Sequence, residues 1–146
     1  MSAKGTPNES CSLSKNLESL SETRSSDSEA GYAPEMLLIV DTETSGLMPD
    51  QDQCIEVGAI LFNVPSRAIL AQQSFLLPVE ENAAENINHI PPSITQLSQP
   101  WTMALEYLEA LLEVAEVLVA HNAAFDRQWF GRPPLPKATK PWLCTM

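Results

Sequence analysis

The stretch Met36-Leu37-Leu38-Ile39-Val40-Asp41-Thr42-Glu43-Thr44-Ser45-Gly46 carries the reading of the fold. Apolar residues run unbroken from Met36 to Val40 and then meet the polar Asp41 to Gly46. A short unbroken apolar run predicts a strand buried on both faces, at the centre of a sheet. Outward from it, CIEVGAILFN (54–63) predicts a second strand, punctuated by Val64-Pro65-Ser66. AILAQQSFLL (68–77) predicts a third, stopped by Pro78. Strands in succession with brief turns make an antiparallel meander. The segment from Pro78 to Pro100 reads as loop, with a corner at Pro91-Pro92 and a short helix over 93–97. Residues 101–116 predict a helix, with Trp101, Leu105, Leu108, Leu112 and Ala115 on one stripe and Glu106, Glu109, Glu113 and Glu116 on a solvated face. Val117 to Ala120 predicts a short buried strand. A further helix is expected over 123–130, and a strand over 140–146. A strand reached through a helical crossover lies parallel to its partner, here the first strand. The expected class is α/β, a mixed sheet flanked by helices.

The chain has 146 residues and a net charge of −11. Residues 1–34 hold nine serines and read as a disordered polar tail. A short helix around Leu13, Leu17 and Leu20 is the alternative there. Residues 35–146 hold nearly all the large apolar side chains, enough for one domain. The charge divides into −2 for residues 1–34 and −9 for the rest. That balance argues against wrapping of long duplex nucleic acid through phosphate contacts. A metal site that neutralises its own acids is not. Cys11, Cys54 and Cys144 form no zinc-ligand spacing and read as reduced thiols of a cytoplasmic protein. No apolar run approaches the roughly 20 residues that span a bilayer, and no secretory leader is visible.

Asp41 and Glu43 close the first apolar run at a spacing of two, which puts both side chains on one face of a strand. Two carboxylates there repel, and a hard divalent cation compensates them. The plain alternative is a polar loop with incidental acids. Asp126 follows the second buried strand, inside His121-Asn122-Ala123-Ala124-Phe125-Asp126. With the two strands adjacent, Asp41, Glu43 and Asp126 can meet at one metal site. Asp126 can equally be a first-turn acid that favours the helix dipole. His121 reads either as a strand-end histidine or as a pocket residue. Phe125 reads either as core or as a stacking surface for a base. Gly46 allows a tight turn beside the acids.

Asp41-Thr42-Glu43-Thr44-Ser45-Gly46-Leu47 and His121-Asn122-Ala123-Ala124-Phe125-Asp126 resemble the first two motifs of the DnaQ-like 3′–5′ exonucleases. This DEDD family includes the proofreading subunit of bacterial DNA polymerase III. The motifs stand in the family's order, 80 residues apart, and the resemblance covers roughly residues 36–146. It implies a ribonuclease-H-like fold and two Mg²⁺ or Mn²⁺ ions, about 3.5–4 Å apart in such sites. Asp41, Glu43 and Asp126 match three of the family's four metal-binding carboxylates. Thr44 and Leu47 match positions that hold the terminal nucleotide, and His121 and Phe125 match positions close to it. Asn88-His89-Ile90 resembles a weaker His-x-Ile motif, with Asn88 where the family often has His. The first motif is most similar to the His version of the family.

The resemblance implies a substrate with a single-stranded DNA or RNA 3′ end, and a polymerase or other replication protein as partner, in replication or repair. The family's third motif brings a general-base His and a fourth carboxylate. Here the only histidines are His89 and His121, and Asp126 is the last acidic residue. The expectation is therefore an exonuclease domain cut before its last motif, weak or inactive as 146 residues, since a lost general base costs about 10²–10⁴ in rate. The second expectation is a non-catalytic nucleic-acid- or protein-binding module on the same fold.

Overall fold

The computed structural model describes residues 33–146. The serine-rich tail and the helix weighed around Leu13, Leu17 and Leu20 lie outside the described residues, Ala33 and Pro34 excepted. Among the described residues no helix is long and apolar enough to cross a membrane.

Strand β1 (Met36–Thr44) is followed by β2 (Cys54–Asn63) and β3 (Ala68–Leu76). Two one-turn helices follow, α1 (Glu85–Asn88) and α2 (Pro92–Thr95), then α3 (Trp101–Val114), β4 (Val117–Ala120), α4 (Ala123–Arg127) and β5 (Trp142–Cys144). The strands form one five-stranded sheet in the order β3-β2-β1-β4-β5. β1–β2 and β2–β3 are antiparallel, as the meander predicts. β4 is parallel to β1, pairing Leu37 with Val117 and Ile39 with Val119. β5 is parallel to β4, pairing Val119 with Leu143. The mixed α/β sheet read from the sequence is the one observed.

Pairing extends β1 beyond its apolar run. Asp41, Thr42 and Glu43 face Gly58, Val57 and Glu56 on β2, so the acids sit on ladder backbone and not in a loop. The expectation that β1 is buried on both faces needs correcting. The strand is central, yet its exposure alternates: Leu38 and Val40 are buried while Ile39 is 38% exposed. The helices cover one face. Leu108, Leu111 and Leu112 of α3 pack on Leu38, Val40, Leu61 and Leu118. Among the described residues no helix covers Ile39, and an open groove of about 510 Å³ lies there, lined by Ile39, Asp41, Gly58, Ile60, Gln72 and Ser74.

Other boundaries shift for local reasons. α3 ends at Val114 because Ala115 turns extended and buries itself. The Glu116 N–H then donates to the Met36 carbonyl at 2.9 Å and leads the chain into the sheet. α4 stops at Arg127, short of the expected 130. The Trp129 N–H donates to the Asp126 carbonyl, and the Arg132 N–H to the Trp129 carbonyl, a tighter turn that swings Trp129 into the core at 2% exposure. Where the sequence read loop, α1 forms, and α2 begins at Pro92, one residue before the expected 93. Pro suits a first helical turn because its missing N–H has no partner there anyway.

The alternation along β1 makes a direct prediction. Leu38→Ala removes a side chain with no exposure and should cost about 2–5 kcal/mol in urea unfolding. Ile39→Ala, on the open face, should cost less than about 1 kcal/mol. Equal costs would mean that both faces are packed.

Candidate active site

The site begins at the end of the β1–β4 ladder. The last pair is Ile39 with Val119, so β1 beyond it has no strand on that side. The Thr42 N–H takes a side-chain partner instead. It donates to Asp126 Oδ1 at 3.0 Å, and the Thr42 hydroxyl donates to the same oxygen at 2.8 Å. Asp126 is 3% exposed, so these bonds satisfy a buried carboxylate. They fix the start of α4 to the strand that carries Asp41 and Glu43.

Asp41 and Glu43 share the open face of β1, Asp41 exposed and Glu43 partly buried. Burial pushes the Glu43 carboxyl up, and the charges of Asp41, Glu56 and Asp126 push it further. Burial also raises Asp126, the Thr42 hydrogen bonds pull it back, and Asp41 raises it again. The acids therefore press on one another, and a cation would relieve that pressure. Glu56, directly opposite Glu43 in the ladder, adds to it and was invisible without the strand register. Its carboxylate accepts a hydrogen bond from the Ser74 hydroxyl. Among the described residues no three His, Cys, Asp or Glu side chains close into a ready metal cage. The structure thus brings Asp41, Glu43 and Asp126 into electrostatic contact at one strand end without closing them around a point.

The other candidate residues surround this strand end unevenly. Thr44 is buried, and its hydroxyl donates to the Gly46 carbonyl at 2.6 Å. Leu47 is 74% exposed on the loop that follows. That loop is pinned: the Ser45 N–H donates to the Gln53 carbonyl, the Gln53 N–H to the Ser45 hydroxyl, and the Met48 N–H to Asp52 Oδ2. A Cβ at Gly46 would meet the Asp52 carboxylate at 2.4 Å, so a larger residue there must displace the side chain that accepts from the Met48 N–H. Arg132 fastens the outer side, donating to the Pro49 carbonyl at 3.1 Å and pairing with Asp50 at 2.7 Å. His121 is exposed at the end of β4, its Nδ1 3.3 Å from the Thr145 hydroxyl. Phe125 is half-buried, edge-on to Trp129 with ring centroids 6.0 Å apart.

Sequence reasoning missed Thr42 and Arg132 as structural partners of the site, and singled out Asn88 by resemblance without its bond to the Thr44 carbonyl. Thr42 lies inside the quoted motif, and its spacing between two acids was the available signal. Arg132 is one of only five basic residues in 35–146, which marks it in an acidic body. Cys54, close behind, is buried, and burial pushes its thiol up to about 12, so it is an inert core thiol.

Fold and site together define an α/β domain with a mixed five-stranded sheet and a group of carboxylates at the end of its central strand. No protein-family profile matches the chain. In sequence it is similar to DNA polymerase III PolC-type of Ureaplasma parvum, 33% identical over 111 residues, which is 71% of this chain and 7% of that protein. It is also similar to DNA polymerase III subunit epsilon of Treponema pallidum, 30% identical over 100 residues, 62% of this chain and 42% of that protein. The chain thus spans less than half the length of either relative. In fold it is similar to E. coli exonuclease I in complex with a dA16 oligonucleotide, with a TM-score of 0.55 and 18% identity over 65% of this chain and 22% of that one.

The crowding of the acids sets a pH dependence. A carboxyl raised on folding contributes stability below its unfolded pKa and loses it as pH rises through the folded value. Glu43→Gln should therefore flatten the loss of stability as pH rises above about 4.5, and should raise Tm at pH 7. Thermal unfolding across that range checks it, and a lower Tm at pH 7 would contradict the crowding.

Proposed function

We propose that this chain carries a 3′–5′ exonuclease site that acts on single-stranded nucleic-acid 3′ ends and releases nucleoside monophosphates. The single observation behind the reading is the hydrogen-bonded bridge from Asp126 to Thr42, the residue between Asp41 and Glu43. It brings the acids of two separated motifs to one strand end. The relatives named for DNA polymerase III and the exonuclease I fold support the same reading.

The donor set fits hard divalent cations. Asp41, Glu43 and Asp126 offer only carboxylate oxygens, and their mutual repulsion favours added positive charge. These three residues would hold Mg²⁺ or Mn²⁺, two ions in such sites, supplying charge neutralisation at the scissile phosphate. In the reaction, water adds to the terminal phosphorus, and the bond to the 3′ oxygen of the preceding nucleotide breaks. That oxygen leaves with a proton, giving a nucleoside monophosphate and a shorter strand. Thr44 and Leu47 would border the terminal nucleotide, with Leu47 exposed for contact with a base. His121 and Phe125 would stand nearby. A DNA polymerase is the partner we assign, on the names of the two relatives.

A second reading, a non-catalytic binding module on this fold, is favoured by one observation. Asp41, Glu43 and Asp126 share one strand end, yet among the described residues no three such side chains close around a point. A single assay separates the readings. The chain is incubated with a 5′-labelled single-stranded oligonucleotide in Mn²⁺ or in chelator. Mn²⁺-dependent shortening from the 3′ end, lost in Asp41→Ala, supports catalysis. Retained binding with no shortening at high protein supports the second reading.

A further inference from the structure

Asn88, the last residue of α1, joins the segment before α2 to the end of β1. Asn88 Nδ2 donates to the Thr44 carbonyl at 2.9 Å. Among the described residues this is the only hydrogen bond between residues 82–90 and the 44–53 segment. The orientation of the amide is fixed by its other end. Asn88 Oδ1 accepts from the Ile90 N–H at 3.1 Å and from Asn82 Nδ2 at 2.9 Å. Both partners are donors, so that atom must be the oxygen, and the nitrogen must face Thr44.

Asn82 completes a closed clasp. Its Nδ2 also donates to the Ile90 carbonyl at 2.7 Å, and its Oδ1 accepts from the Ala84 N–H at 3.0 Å. His89 takes a positive φ of 60°, which turns the chain so that Ile90 can reach back. The clasp is self-contained, and Asn88 is its link to β1. The receiving carbonyl sits at a register shift between Glu43 and Thr44, where the β1–β2 ladder turns irregular. A carbonyl leaving a regular ladder needs another donor. Asn88 supplies it directly after the acidic Glu43 and directly before the loop that carries Leu47.

We infer that Asn88 is a positioning residue of the 3′-end site, acting through the Thr44 carbonyl to hold the Glu43–Leu47 segment. The inference rests on the exonuclease reading above. An imidazole offers one donor and one acceptor, so His at 88 keeps the link to Thr44 and one of the two inward bonds. Alanine keeps neither.

The test measures binding of two probes in Mn²⁺. One is a linear 5′-fluorescein oligothymidylate with uncleavable phosphorothioate linkages at its 3′ end. The other is a circular oligothymidylate, which has no end. The expected result is a preference of the chain for the linear probe. Asn88→Ala should weaken linear binding about tenfold, the worth of one hydrogen bond, and leave circular binding unchanged. Asn88→His should stay within about threefold of the parent chain on both. A chain with no preference for the linear probe sinks the exonuclease reading and the inference with it. A preference that survives in Asn88→Ala overturns the inference alone. Equal losses on both probes in Asn88→Ala, with a lowered Tm and no rescue in Asn88→His, show a merely structural role and also overturn it.

Discussion

The buried bond between Thr42 and Asp126 is the constraint on which the site depends. β4 is too short to accompany β1 to its end, so the Thr42 N–H faces a position that no strand fills. An unpaired buried amide costs about 1–3 kcal/mol. The Asp126 carboxylate fills the position and is itself satisfied by two donors from one residue. Without that link, α4 would have packing alone to hold it to β1, and the motif acids would not share a strand end.

The link carries an electrostatic cost. It holds a third carboxylate near Asp41 and Glu43, and Glu56 stands opposite in the ladder. Burial and like charge raise both Glu43 and Asp126, and the Thr42 bonds offset only part of this for Asp126. Such strain at one strand end is typical of sites that work by charge neutralisation. It also reframes the net charge of −11: the acids at the site are a local arrangement, while Glu106, Glu109 and Glu113 lie on the exposed face of α3.

Around this centre the chain is held by polar clasps more than by helices. α1 and α2 are single turns, and α4 has five residues. The 44–53 loop is closed by Ser45, Gln53 and Asp52 and fastened outside by Arg132. Asn88 joins the next loop to Thr44. Thr95 anchors α2, its buried hydroxyl donating to the Val79 carbonyl at 2.6 Å. Short elements bury little apolar area, so their placement falls to directional bonds.

The sequence by itself determined the sheet and the candidate acids. An apolar run ending in Asp-Thr-Glu, two further strands bounded by prolines and a long amphipathic helix are local patterns, and local patterns carry strand and helix identity. The order of β1, β2, β3, α3, β4 and the parallel β1–β4 pair follow from them and from crossover chemistry. What only the tertiary structure decided is which groups meet across the chain. Thr42 finds Asp126, 84 residues away, and Asn88 finds Thr44, 44 residues away. Glu56 faces Glu43 through strand register. The open face beside Ile39 belongs to the same set, because an apolar run shows that a residue can be buried, while coverage depends on which helix reaches it. Periodicity is short-ranged, and these contacts are set by where two distant backbones come to lie.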